Sequence, residues 1–291
     1  MNKPQENLQR WRWNKNMSES YKVLINEVSF ISFLNRLGDI FPNETYFVNT
    51  AFRSKKLTEK EKSKLSTKNR EVYLSKYIRG SINNRVDEES AIQKMYELEV
   101  PYKALTFDKG TEEEITLPQS AMVTFICCNP SVEEKVAMLH LESTNDILKN
   151  LIMSCDSGTE VKKQLAHHNT DFRSERMKCN RTKWVDFDID IENLEELNRE
   201  DIKSAISYCF RNHATFNDIN GMIVSTSGGF HVLVDKNCIK GNPHNFCTYL
   251  NITLSQMKCK IKEIEFKSGC CMIPCVGTLQ YGNFEVTYDE L

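Results

Sequence analysis

The sequence predicts a mixed α/β chain in two lobes, the second of them a split β-α-β-β-α-β unit. Three observations carry that expectation. Residues 184–191 (WVDFDIDI) alternate strictly, with Val185, Phe187, Ile189 and Ile191 on one side and Asp186, Asp188 and Asp190 on the other, the period of a half-buried strand. Two later segments carry helical stripes, first Ile202, Ala205, Ile206, Cys209 and Phe210, then Phe246, Tyr249, Leu250, Thr253, Leu254 and Met257. Around them lie the short strand-like runs 221–224, 230–235 and 262–266, broken by a Ser/Thr/Gly turn and by Asn242-Pro243, where proline suits the first position of a helix.

The first lobe, 1–175, is less regular. Ala91, Ile92, Met95 and Tyr96 predict a helix over 87–99, and 102–107 and 122–128 read as strands. Asn129-Pro130 ends the second strand, and Ser131 with Glu134 has capping-box spacing, opening a helix that turns Val132, Val136 and Leu139 inward. Polar residues 143–183 are expected to be helix plus loop joining the lobes. The second lobe, 176–291, has the ferredoxin-like order, in which the first strand lies between the third and the fourth, both helices cover one face and the other face stays open. The three aspartates then point to the open face, with Glu263 and Glu265 on one neighbouring strand and His231 on the other.

With 291 residues, 40% hydrophobic and 27% charged, the chain is neither disordered nor fibrous in composition. Its net charge of −2 does not announce a nucleic-acid partner, but residues 53–70 are locally basic. Arg53, Lys55, Lys56, Lys60, Lys62, Lys64, Lys68 and Arg70 stand there against Glu59 and Glu61. Such a stretch suits either a solvated face or a surface that follows phosphates; Arg53, Lys55, Lys56, Lys62 and Lys64 are the nucleic-acid-binding candidates. No apolar run reaches the length of a membrane helix, and the polar N-terminus lacks a secretory h-region. Eleven cysteines are then expected as free thiols in a reducing compartment, the cytoplasm, or a host's cytoplasm for a viral chain. Cys270, Cys271 and Cys275 cluster without zinc-knuckle spacing, with only Cys259 or His244 to complete a set, and Cys127-Cys128 and His167-His168 are adjacent. The spacing argues against a structural zinc.

Three carboxylates at period two repel one another, and divalent metals offset that repulsion: Mg²⁺ prefers oxygen ligands and is completed by substrate phosphates, and two such ions can clamp an in-line phosphoryl transfer. An acidic solvent-facing strand would look the same. The turn Ser225-Thr-Ser227-Gly228-Gly229-Phe-His231 offers hydroxyls, amides and flexible glycines to phosphate oxygens, or is simply a hairpin turn.

WVDFDID, then STSGGFHVLV, then an acidic strand and IPCVGTLQYG resemble the three motifs of the archaeo-eukaryotic primase superfamily, over about residues 180–285. The resemblance implies a two-lobed primase-polymerase fold with an RRM-like palm, and template-dependent nucleotidyl transfer on single-stranded DNA from NTPs or dNTPs with Mg²⁺ or Mn²⁺. It implies that Asp186 and Asp188 are the catalytic metal-binding pair, with Asp190 auxiliary, and that Ser225, Ser227 and His231 bind the nucleotide. Glu265 matches the third acid, with Glu263 competing. Pro274, Gly277 and Thr278 match a downstream turn that Cys275-Val276 interrupts. No G-x-x-x-x-G-K-[ST] occurs, so a replicative helicase would be a separate polypeptide. A metal-dependent phosphodiesterase using water as nucleophile, and a non-catalytic nucleic-acid-binding module, are the rival readings.

Overall fold

The apolar spacing of Phe30, Phe33, Leu34 and Leu37 builds the first helix, α1 (Glu27–Leu37), whose N-cap Asn26 accepts a hydrogen bond from the Ser29 amide. In a computed structural model, residues 21–53, 56–63, 73–108, 111–154 and 178–291 are described. The first sheet follows α1. Its centre is β1 (Glu44–Phe52), buried along almost its whole length, as expected of a strand covered on both faces. β2 (Tyr73–Arg79) and β5 (Met122–Cys127) flank it antiparallel. Helix α2 (Glu88–Tyr96), capped by Asp87 and burying Ala91 and Met95, lies between β2 and a separate hairpin of β3 (Lys103–Asp108) and β4 (Thr111–Thr116).

The expected helix after Asn129-Pro130 starts later than its capping-box spacing suggests. Ser131 and Val132 form a short strand, β6, paired with Glu44 and Thr45 of β1, and the Ser131 hydroxyl donates to Asn180 instead of capping. Helix α3 then runs Glu133–Ser154. Tertiary pairing wins over the local cap here because β1 offers an unpaired edge.

The second half follows the sequence closely. β7 (Trp184–Ile191), α4 (Arg199–Asn212), β8 (Gly221–Thr226), β9 (Gly229–Asp235), α5 (Pro243–Gln256) and β10 (Ile261–Lys267) succeed one another. The sheet order β10-β7-β9-β8 is that of a split βαβ unit, with every neighbouring pair antiparallel. Asn198 and Asn242 cap the two helices. Phe187, Phe210, Phe216 and Phe246 pack edge to face or tilted under the sheet, a geometry favoured by the aromatic quadrupole.

Two features depart from the expectation. The chain returns to the first sheet after β10: β11 (Met272–Pro274) pairs with β5, so residues 272–274 belong to the first sheet and a break at 175/176 does not separate the lobes. After a short ribbon of β12 (Leu279–Gln280) and β13 (Phe284–Glu285), β14 (Thr287–Glu290) adds a fifth strand beside β8. The face opposite α4 and α5 is also only half open. Trp184, Met222, Val224 and Leu233 from that face share one buried cluster with Phe30, Phe33, Leu34 and Leu37 of α1 and with Tyr46, Val48 and Ile126 of the first sheet. Only the end of the face bearing Asp188 and Asp190 reaches solvent. Among the described residues, no helix is long and apolar enough to cross a membrane.

One side chain closes the junction of the sheets. Asn129, wholly buried, accepts from the backbone amides of Lys183 and Trp184, both at 2.9 Å. Its amide donates to the carbonyls of Trp184 at 2.8 Å and Gly269 at 2.6 Å. Asn129→Ala would strand buried donors and acceptors, and is expected to destabilise the chain by about 2–4 kcal/mol, measured as a lower denaturant midpoint at unchanged slope. At Gly229 the β7–β9 approach is so close that a Cβ would lie 1.8 Å from the Ile189 carbonyl oxygen. Gly229→Ala should therefore reduce stability at least as much, while an alanine at the neighbouring Gly228, whose Cβ would meet only Asp190 at 3.8 Å, should be tolerated in the same measurement.

Candidate active site

The pleat of β7 sends Trp184, Asp186, Asp188 and Asp190 to the face away from α4 and α5. Cross-strand register then fixes their neighbours: on β9, Asp186 faces Leu233, Asp188 faces His231 and Asp190 faces Gly229. On β10, Asp186 faces Lys267, Asp188 faces Glu265 and Asp190 faces Glu263, with a bulge at Lys262 just beyond that last pair. A bulge re-aims a strand locally, and here it leaves Lys262 extended toward Asp190, 3.7 Å away.

Asp186 lies at the inner end, fully buried. Its Oδ2 is 3.0 Å from His231 Nδ1, while its Oδ1 is buried without a hydrogen-bond partner. Burial lifts the Asp186 carboxyl above its usual 3.8, with the His231 charge pulling the other way. Burial also opposes a charge on His231, but the Asp186 carboxylate outweighs it and raises the imidazole above 6.5. The other ring nitrogen, Nε2, lies 3.6 Å from Asp188 Oδ1, so His231 bridges the two aspartates.

Lys267, which the sequence reading passed over, completes the cluster. Its Nζ is 2.6 Å from Asp188 Oδ2 and 3.1 Å from Glu265 Oε2. Burial opposes its charge, but the hydrogen bonds to Asp188 and Glu265 raise its pKa above 10.5. The signal was present, since Glu263, Glu265 and Lys267 continue one alternation on β10. Lys267 draws Asp188 and Glu265 toward itself, and among the described residues no three acidic, histidine or cysteine side chains converge on a single point. The donor chemistry nevertheless suits a hard divalent cation. Asp186, Asp188 and Glu265 supply oxygens, and the buried, unpartnered Asp186 Oδ1 is an atom that a cation would satisfy. Of the two competing glutamates, Glu265 joins this cluster, and Glu263 sits one pair farther out beside Asp190.

The turn between β8 and β9 is a two-residue hairpin, Ser227-Gly228, and its glycines do not use the left-handed region. Ser225 does not meet the acids. It alternates with Ile223 onto the helix-covered face, opposite Phe230, so the expected convergence of Ser225 with His231 fails for a geometric reason, the pleat. Thr226 falls on the acidic side and donates to the Gly229 carbonyl. The Ser227 amide is already held by Gln280 Oε1 at 2.8 Å, and Arg199 donates to the Thr226 and Ser227 carbonyls at 2.8 and 3.1 Å while lying over Phe284. The hairpin is thus pinned from two sides and aims its tip past Asp190.

The described part of the basic segment packs on two aromatic rings, one on β5 and one in the C-terminal stretch. Arg53 lies over Phe125, its guanidinium carbon 4.9 Å from the ring, and Lys56 lies 4.6 Å over Tyr281. Burial raises the Tyr281 hydroxyl above its usual value of 10.0, with the Arg53 charge opposing and Asp190 adding. Lys62 pairs with Glu59 at 2.6 Å. Lys55 and Lys64 lie outside the described residues.

The faces of the strands separate two candidates for phosphate contact. On the nucleotidyl-transfer reading proposed below, His231→Ala should lower nucleotide-dependent efficiency roughly ten- to hundredfold, the range for a lost charge-assisted hydrogen bond. Ser225→Ala should change it by less than about twofold on the same scale. Steady-state kinetics over a nucleotide series checks both.

Compared with protein-family models, with curated proteins and with solved structures, the chain finds no match in any of the three.

Proposed function

We propose that the chain is a template-dependent nucleotidyltransferase that makes primers on single-stranded DNA from nucleoside triphosphates, as a DNA primase or primase-polymerase does. The carrying observation is the buried Asp186–His231 pair, bracketed by Asp188 and Glu265 on a split βαβ sheet. Mg²⁺ or Mn²⁺ held by Asp186, Asp188 and Glu265 would supply charge neutralisation at the triphosphate and a lowered pKa at an attacking 3′-hydroxyl. His231 holds the Asp186 carboxylate in place and presents its charge to the nucleotide phosphates. Lys267 keeps the acids paired between turnovers and offers a second cationic donor. Arg53 and Lys56, beside Phe125 and Tyr281, suit the backbone and bases of a single strand. Preorganised charge and positioning of this kind account for most of the acceleration in phosphoryl transfer.

The direct test is incubation with unprimed single-stranded DNA, Mg²⁺ or Mn²⁺, and ribo- or deoxynucleotides in separate arms. Extension products support the reading, whereas shortened template would indicate hydrolysis by the same acids. Asp186→Asn keeps the side chain's shape and its acceptor for His231, so it should abolish synthesis while leaving the melting temperature within a few degrees. Template affinity should fall steeply with salt. Each phosphate contact contributes a slope of about −0.7 for single strands, so Arg53→Gln with Lys56→Gln should flatten the slope by about 1.4.

The Lys267 bridges favour one second reading, a nucleic-acid-binding module whose acids are neutralised from within. Mn²⁺ raising the melting temperature of the wild-type chain, but not of Asp186→Asn, supports the catalytic reading. Unchanged melting in both, with template bound and no product, supports the module.

A further inference from the structure

Cys127 ends β5, and Cys270 lies in the connection from β10 to β11. Their sulfurs are 3.2 Å apart although 143 residues separate them in sequence. The backbone holds both in place, because β11 pairs with β5, Met272 standing opposite Cys127, and the Cys128 amide donates to the Cys271 carbonyl. Asn180 Nδ2 donates to Cys127 Sγ at 3.3 Å, and Asn180 is in turn fixed by the Ser131 hydroxyl. Cys127 is buried, whereas Cys270 is only half-buried. The contact with the Cys270 thiol, with Asn180 adding, pulls the Cys127 thiol below its usual 9.0 against the effect of burial. A sulfur held in hydrogen-bonding contact with a second, more accessible sulfur is the arrangement of a redox-active pair.

We propose that Cys127 and Cys270 form a reversible dithiol–disulfide pair, oxidised by small hydroperoxides, which staples the β10–β11 connection to the first sheet. The sulfurs need to approach by only about 1 Å to reach bonding distance. The Cys270 sulfur attacks the peroxide O–O bond, which breaks; the departing hydroxide takes the Cys270 thiol proton and leaves as water, and Cys270 becomes a sulfenic acid. The Cys127 sulfur then attacks the Cys270 sulfur; the S–S bond forms, the S–O bond breaks, and hydroxide leaves with the remaining thiol proton as a second water. Two thiols are oxidised by two electrons and one hydrogen peroxide is reduced to two waters. The staple closes three residues beyond Lys267, at the segment whose Gly269 carbonyl Asn129 already holds. The pair lies outside the nucleotidyl-transfer reading and stands or falls independently of it.

The reduced full-length chain is treated with graded hydrogen peroxide, blocked with iodoacetamide under denaturing, non-reducing conditions, digested and mapped by mass spectrometry. The expected product is a peptide pair joined through Cys127 and Cys270, separated again by dithiothreitol. Cys271→Ser should keep the link, and Cys270→Ser should lose it and leave Cys127 fully alkylatable at the same peroxide dose. Cys270 carried on to sulfinic acid with Cys127 still free, or a link formed through Cys128 or Cys271 instead, overturns the proposal.

Discussion

The side chain of Asn129 commits its whole hydrogen-bonding capacity where the residues just past β5, the first residues of β7 and the loop leaving β10 meet. Each of those segments ends a different element, and a chain end buried away from water needs partners for its amides and carbonyls. One planar amide serves two donors and two acceptors, so the start of the acidic strand is held to the first sheet at a defined height and angle. Everything downstream on β7 follows from that anchor. Trp184 seats its indole N–H on the Leu37 carbonyl at 2.9 Å, and Asp186, two residues on, falls at the boundary between the shared core and the cleft. The capacity of Asn129 for this arrangement rests on having an oxygen and an amide in one plane, which neither aspartate nor leucine has.

The second constraint is electrostatic. A buried carboxylate is tolerated only when opposite charge or hydrogen bonds replace its hydration. Asp186 has one oxygen satisfied by His231 and one with no partner, and Asp188 and Glu265 are held by Lys267. The cluster is therefore balanced along its outer edge and incomplete at its inner one. A purely structural ion pair gains nothing from an orphaned oxygen in a core, whereas a binding site keeps such an atom for its ligand. The apolar wall of α1 and the first sheet strengthens every interaction at that depth by lowering the local dielectric.

The two sheets also share their work unequally. The helix-covered side of the second sheet is an aromatic core built on Phe187, Phe210 and Phe246, which fixes strand order and register. The other side is split between the common core and the cleft. The C-terminal stretch ties them together: β11 completes the first sheet, Gln280 holds the β8–β9 hairpin, and β14 extends the second sheet. Lobes connected in this manner cannot rock about a single linker.

The sequence by itself determined the second half. WVDFDIDI and the two helical stripes have periods that admit one secondary structure each, and the β-α-β-β-α-β order leaves one common topology. That local information placed Asp186, Asp188, His231 and Glu265 on one surface before any contact was known. Helix α1 does carry a helical stripe and an asparagine cap, whereas β1, buried along nearly its whole length, lacks the alternation that marks a strand. Only the tertiary structure decided that half of the open face is covered and that Asn129 joins the sheets. It also decided that β11 returns to the first sheet. Each of these depends on contacts between residues far apart in the chain, and such contacts are set by packing and register, which no local period encodes.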